Sequence, residues 1–130
     1  MEILQPPHWL KPRGYSNGMA AKGKIVCIAG QVGWNAEEKF ETDDFVGQVE
    51  QALRNIVGVL AEAGGKPGDI LRMTWYVTSK EEYVADRKGL GAAYRRVMGK
   101  HYPAMTAVQV TALMARRAKV EIEATAVVPD

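Results

Sequence analysis

Two glutamates near the C-terminus are the residues whose type and spacing most clearly suit chemistry. Glu121 and Glu123 are two residues apart in a segment where apolar and polar residues alternate. In a β-strand that spacing puts both carboxylates on one face, about 7 Å apart. Carboxylates this close can shift each other's pKa and perform general acid–base catalysis. A solvent-exposed strand face explains the same pattern equally well, so the spacing alone assigns no reaction.

The other residue types that commonly do chemistry form no recognisable constellation. His8 and His101 are the only histidines and Cys27 is the only cysteine, so neither a zinc site nor an intrachain disulfide is predicted. No Gly-x-Ser-x-Gly motif supports a Ser-His-Asp triad. Trp34 lies in the loop after a predicted strand, where an aromatic side chain serves either as a pocket wall or as part of the core. The residues therefore predict no metal site.

The composition is that of one globular domain. The chain has 130 residues, of which 47% are hydrophobic and 25% charged, with a formal net charge of +2, and we expect a single domain over 1–130. The basic residues form no dense run, so nucleic acid is not an expected partner. No segment reaches the roughly 18 consecutive apolar residues of a membrane helix, and the N-terminus lacks a signal-peptide pattern. We expect a cytoplasmic protein with Cys27 as a buried thiol.

Hydrophobic periodicity predicts an α+β domain. Val49, Leu53 and Ile56 recur at helical spacing on one face of a segment that begins at 43 and ends at 63. The predicted elements are an extended arm over 1–14, a short strand 19–21, a strand 24–30, a helix 43–63, a strand 70–78, a helix after Ser79 with Gly89 and Gly91 in its interior, and strands 104–113 and 119–128. This order places both helices on one face of a mixed β-sheet.

The sheet face away from the helices has an unusual composition. On it, Gln31, Glu121 and Glu123 lie among Trp, Met, Thr and Ala positions rather than among many charged ones. A solvated face is one explanation, but contact with neighbouring subunits fits the mixed composition better. We therefore expect an oligomer.

Seven short segments, taken in order along the chain, carry a resemblance to a known family. They are Gly14-Tyr15-Ser16-Asn17-Gly18, Ala29-Gly30-Gln31, Ala61-Glu62-Ala63-Gly64, Gly68-Asp69-Ile70, Tyr102-Pro103-Ala104, Val108-Gln109-Val110 and Val120-Glu121-Ile122-Glu123-Ala124. Each is weak alone, but their order and spacing resemble the RidA/YjgF family, also called the L-PSP or reactive-intermediate-deaminase family, over nearly the whole chain.

The resemblance implies a chorismate-mutase-like fold and a homotrimer with small-molecule clefts between subunits. Typical members hydrolyse enamines and imines, such as 2-aminoacrylate, without a metal or cofactor. At the matching positions, Tyr15 is expected to contact the substrate, and the backbone at Gly30 and Gln31 to line the pocket. Glu121 is expected to position or activate water, with Glu123 as the alternative.

The sequence departs from the family pattern where substrate is bound. The arginine that follows Pro-Ala in typical members, and that clamps a substrate carboxylate, is Met105 here. A frequent cysteine is replaced by Ala107 and a common helix asparagine by Gly91, while Ala29 stands where a serine often precedes Gly-Gln. These changes predict a roomier and more apolar cleft, with Trp34 on its rim.

The hypothesis that follows is a trimeric imine deaminase whose substrate is bulkier and less acidic than 2-aminoacrylate. Arg13 is the nearest replacement cation in sequence, although a solvated position on the N-terminal arm is the simpler interpretation. A non-enzymatic small-molecule binder on the same scaffold is the alternative function. An endoribonuclease or translation inhibitor ranks last, because only the pairs Arg95-Arg96 and Arg116-Arg117 favour it.

Overall fold

The computed structural model describes residues 1–130, which form six strands, three α-helices and one 3₁₀ turn. In chain order these are β1 (Glu2–Leu4), β2 (Gly18–Ala20), β3 (Lys24–Val32), α1 (Phe45–Ala61), the 3₁₀ turn (Pro67–Asp69), β4 (Ile70–Val77), α2 (Lys80–Ala85), α3 (Arg87–Met98), β5 (Ala104–Gln109) and β6 (Val120–Val128). The main sheet has the strand order β3-β6-β4-β5, and only β4 and β5 run parallel. β1 and β2 form a separate antiparallel pair. The predicted α+β fold with a mixed sheet is confirmed.

The two long helices, α1 and α3, pack on one face of the main sheet and enclose the core with it. The predicted apolar stripe of α1, including Val49, Leu53 and Ile56, has no exposed surface. It belongs to one cluster with inward-facing strand residues such as Met73 and Ile122, which are also fully buried. Full burial of each such side chain stabilises the fold by about 1.5–3 kcal/mol. None of the helices is long and apolar enough to cross a membrane.

Gln48 is a fully buried amide that joins α1 to the segment before β6. Its Nε2 donates to the carbonyl oxygens of Thr42 and Arg117, both at 3.1 Å, and its Oε1 accepts from the backbone N–H of Lys119 at 2.8 Å. A buried polar group is tolerated when its hydrogen bonds are made. This amide therefore fixes the beginning of β6, two residues before Glu121.

The prediction of a single helix after Ser79 is wrong, because Asp86 divides it into α2 and α3. The backbone of Asp86 is not helical (φ −137°, ψ 72°), and its Oδ1 accepts from the N–H of Gly89 at 2.9 Å. Gly89 thus lies in the first turn of α3, where a Cβ would overlap the Asp86 carboxylate. The glycine serves a helix N-cap rather than the interior of a long helix.

The prediction that Cys27 is buried is also wrong within one chain, where its side chain is exposed. β3 alternates, so Ile28, at 3% exposure, faces the helices while Cys27 faces the other way. An apolar stretch of sequence shows that a strand forms but does not show which of its faces the helices cover.

Most element boundaries lie within two residues of those predicted, and the N-terminal arm and β5 differ most. The N-terminal arm contains β1, whose Ile3 lies opposite Met19 of β2. β5 ends at Gln109 rather than continuing to 113, and the Gln109 Oε1 there accepts from the N–H of Lys80 at 2.7 Å.

Replacing Gln48 by leucine should lower the free energy of unfolding by about 2–4 kcal/mol, because the Lys119 N–H and two carbonyl groups lose a buried partner. Urea denaturation measures this. The matched control is Gln51→Leu on the same helix, whose amide bonds only the partly exposed side chain of Asn55, and which should cost under about 1 kcal/mol. Equal losses in the two variants would contradict the role given to Gln48.

Candidate functional site

A cleft of about 760 Å³ lies between the N-terminal arm, helix α3 and the edge strand β5. Five residues singled out from the sequence line it: Arg13, Tyr15, Gly91, Met105 and Ala107. They come from three parts of the chain far apart in sequence. The fold thus brings half of the predicted site together in one place.

The arm reaches the cleft because Ser16 ties it to the beginning of β5. Its backbone N–H donates to the Pro103 carbonyl at 3.0 Å, and its hydroxyl donates to the Tyr102 carbonyl at 2.7 Å. Ser16 is only 7% exposed. Arg13 and Tyr15, just before it in the chain, are therefore held at the cleft, which the sequence could not establish for Arg13.

Aromatic side chains form one wall of the cleft. The rings of Tyr94 and Tyr102 stack at 5.3 Å with 9° between their planes, and Trp75 stacks on Tyr94 at 6.4 Å. Tyr94 donates its hydroxyl proton to the His101 carbonyl at 2.6 Å, and burial raises the pKa of Tyr94 above its usual value. Its hydroxyl therefore stays protonated as a structural donor and does not serve as a base near neutral pH.

Glu121 and Gly30 form a second group on the sheet face opposite the helices, and Gln31 follows Gly30 at the irregularity in β3. The Glu121 carboxylate lies so close to Gly30 that a Cβ at that position would overlap it, which is the physical reason for glycine there. Gln31 Nε2 donates to the Ala29 carbonyl at 3.1 Å. Glu123 lies on the same face, more exposed, beside a smaller cavity of about 380 Å³.

The two groups do not meet within one chain. Met105 and Ala107 pair in register with Met73 and Trp75 and share their face, on the helix side of the sheet. Glu121 lies on the other side, two strands away from β5. A single chain therefore presents the carboxylate and the cleft in different directions.

Trp34 lies outside both cavities, so its predicted position on the cleft rim does not hold within one chain. Its ring packs against Phe40 at 5.8 Å, and its carbonyl accepts from Asn55 Nδ2 at 2.8 Å. The hydrogen bond and the ring contact indicate a structural role that closes the loop after β3. No group of three or more His, Cys, Asp or Glu side chains is placed to hold a metal ion.

The family model described as Endoribonuclease L-PSP matches residues 10–128. The chain belongs to the RidA/YjgF family. The 2-iminobutanoate/2-iminopropanoate deaminase of Salmonella typhimurium is 30% identical over 108 residues, which cover 81% of this chain and 80% of that protein. A RutC family protein of Aquifex aeolicus is 33% identical over 128 residues, 98% of this chain and 99% of that one. The Rid family protein YyfB of Yersinia pestis has a solved structure with TM-score 0.85 and 29% identity over 98% of each chain.

In this RidA/YjgF protein, the cleft contains two arginines that the sequence analysis did not predict as site residues. Arg87 and Arg95 line the cleft together with Arg13, and no carboxylate does. A less acidic ligand was expected because Met105 stands where typical members have an arginine. The three arginines in the cleft remove the reason for that expectation. The Asp86 break that begins α3 would have been the signal, since it sets which residues of the helix face the cleft.

Replacing Ser16 by alanine should weaken ligand binding in the cleft and lower the free energy of unfolding by about 1 kcal/mol. The reason is that the hydrogen bond from the Ser16 hydroxyl to the Tyr102 carbonyl is lost. Ser16→Thr keeps the hydroxyl and should retain most of both properties. Titration calorimetry with a cleft ligand and urea denaturation measure the two effects. Wild-type affinity in Ser16→Ala would show that the arm does not depend on this hydrogen bond.

Proposed function

We propose that this protein is a metal-free deaminase that hydrolyses the C=N bond of an imine or enamine other than 2-aminoacrylate, in a cleft completed by a second subunit of a homotrimer. The observation that carries the proposal is the division of the candidate site. The cleft with Tyr15 and the carboxylate of Glu121 lie on different sides of one chain, although the family resemblance assigns them to one site. A second copy is the simplest source of the missing half.

The open sheet face supports assembly. Ile25 is 70% exposed there and Val108 at the sheet edge 42%, while Cys27 is also uncovered. No helix of the same chain covers this face, and apolar side chains on it favour contact with another subunit. Packing these faces together would bring a neighbour's Glu121, with its Gly30–Gln31 turn, towards the cleft beside β5.

Imine hydrolysis needs few groups. Water adds its oxygen to the imine carbon and gives a proton to the Glu121 carboxylate, which passes it to the nitrogen. The hydroxyl group of the adduct then gives its proton, through Glu121, to the nitrogen, the C–N bond breaks, ammonia leaves and a carbonyl remains. One water is consumed and nothing is oxidised or reduced. Acid–base assistance of this kind contributes roughly 10²–10⁴-fold. Tyr15 and the backbone of the Gly30–Gln31 turn would orient the substrate.

The size of the cleft supports a substrate larger than 2-aminoacrylate. Met105 and Ala107 border a space of about 760 Å³, which lies in the range of sites for drug-sized ligands. The relative from Salmonella typhimurium is named for deamination of 2-imino acids. The same reaction on a 2-imino acid with a bulkier side chain fits this cleft.

A non-enzymatic binder remains the alternative function, because a cleft without a correctly placed base would still hold a ligand. The ribonuclease alternative draws on the description of the family model. One member of each arginine pair that favoured it forms an ion pair with a carboxylate, Arg96 with Glu50 at 2.7 Å and Arg117 with Asp43 at 2.8 Å. The absence of a nucleic-acid partner and the cytoplasmic location stay predictions.

Glu121→Gln should lower imine hydrolysis by about 10²–10⁴-fold while ligand affinity is retained, because the amide cannot accept the water proton. Imines are generated in situ from a panel of amino acids by an amino-acid oxidase, and semicarbazide traps the unhydrolysed fraction. Glu123→Gln, two residues along the same strand, is the matched control and should stay near wild-type rate.

Three outcomes would contradict the proposal. Wild type that hydrolyses none of the imines is not a deaminase of this class. Full activity in Glu121→Gln removes that glutamate from the mechanism. Loss of affinity with an unchanged maximal rate makes Glu121 a ligand-binding residue rather than the group that accepts the water proton.

A further inference from the structure

The cleft contains three positively charged side chains without partners. Arg13, Arg87 and Arg95 line it, no Asp or Glu does, and none of the three takes part in an ion pair or a side-chain hydrogen bond. Arg96, the next residue after Arg95, points elsewhere and pairs with Glu50 on α1. Unpaired guanidinium groups in a concave site attract an anion and can bind a carboxylate in a bidentate manner.

The guanidinium of Arg95 lies over Gly91, one helical turn earlier. A Cβ on Gly91 would lie 3.2 Å from Arg95 Nη1, so the guanidinium rests over the bare backbone of α3. A Cβ at 91 would require the guanidinium to move by a few tenths of an ångström, and a longer side chain there would compete with it for the same space. The glycine at this position therefore does more than enlarge the cleft, because it leaves room for a cation on the cleft side of the helix.

The rest of the lining is aromatic and aliphatic. Leu90 and Met105 lie with Trp75, Tyr94 and Tyr102 around the same space. Trp75 is 4% exposed, and its Nε1 is the one buried side-chain polar atom that has no hydrogen-bond partner. Because this atom is itself buried, a ligand in the cleft does not reach it, and the wall offers apolar contact. A ligand with a flat apolar body suits this wall.

We propose that the cleft selects organic carboxylates with an aromatic or similarly large apolar side chain, with Arg95 as the main carboxylate-binding residue and Arg13 and Arg87 as supporting cations. This inference rests on the proposed function and names its substrate class as aromatic 2-imino acids. The carboxylate clamp lies on helix α3 instead of at Met105 on β5. Small 2-imino acids leave the aromatic wall uncovered, and neutral imines leave the arginines without a partner.

Titration calorimetry on the full-length protein in its native assembly tests the proposal with unreactive probes. The probes are 3-phenylpropanoate, its neutral amide 3-phenylpropanamide, and butanoate. Wild type should bind 3-phenylpropanoate at least tenfold more tightly than either comparison compound. Arg95→Gln should lower that affinity by about 10- to 100-fold, the usual effect of removing a charged hydrogen-bond partner.

Arg116→Gln is the matched control, because Arg116 is exposed and lies outside the cleft. This variant should bind 3-phenylpropanoate with the affinity of wild type. Gly91→Asn should also weaken binding, since it displaces the guanidinium without removing it. Equal binding of the acid and the amide, or unchanged affinity in Arg95→Gln, would overturn the proposal.

The two proposals fail separately. Tight, Arg95-dependent binding of 3-phenylpropanoate without hydrolysis of any imine leaves the carboxylate site standing and removes the deaminase function. Hydrolysis of small or uncharged imines without Arg95-dependent binding keeps the deaminase and removes the aromatic carboxylate specificity.

Discussion

The junction between the N-terminal arm and the beginning of β5 is the constraint on which the candidate site depends. Ser16 makes it with two hydrogen bonds to residues 86 and 87 positions later in the chain, and both acceptors are backbone carbonyls. Because main-chain groups fix the contact, the arm has one register on the sheet edge. The cleft is the space that remains between this arm, α3 and β5.

The sheet itself then separates the chemistry into two sets. Alternation along β6 sends Ile122 into the core and Glu121 to the open face, while β5 sends Met105 towards the helices. Gln48 secures this arrangement by holding the start of β6 against α1. The carboxylates follow the same division, since the cleft is lined by arginines without a carboxylate, whereas on the open face Glu123 lies beside Arg72.

Much of this fold could be predicted from the sequence, because it depends on periodicity. The stripe of α1 and the alternation of β6 both follow from regular spacing, and the structure confirms them. The break at Asp86 could not be predicted in the same way, since one aspartate cap competes with an otherwise continuous helical pattern. The exposure of Cys27 depends on which sheet face the helices cover.

The candidate site was only partly accessible to sequence reasoning for a related reason. The positions of Tyr15 and Met105 were found by resemblance, and the fold places them in one cleft. Arg87 and Arg95 were missed because their direction depends on where α3 begins and on the bare backbone at Gly91. A lost cation at one position of a motif does not establish loss of the charge, since the fold can supply it from another element.

The central claim is that each site combines a cleft from one subunit with Glu121 from another. Its most direct test is the imine-hydrolysis rate of mixed trimers. Glu121→Gln subunits and Ala107→Trp subunits are co-expressed with two different affinity tags, and the tryptophan blocks the cleft of the second kind of subunit. Each variant alone should be inactive, and an equal mixture should recover about a quarter of wild-type activity, because that share of interfaces joins an open cleft to an intact glutamate. A mixture no more active than its two parents would contradict the account.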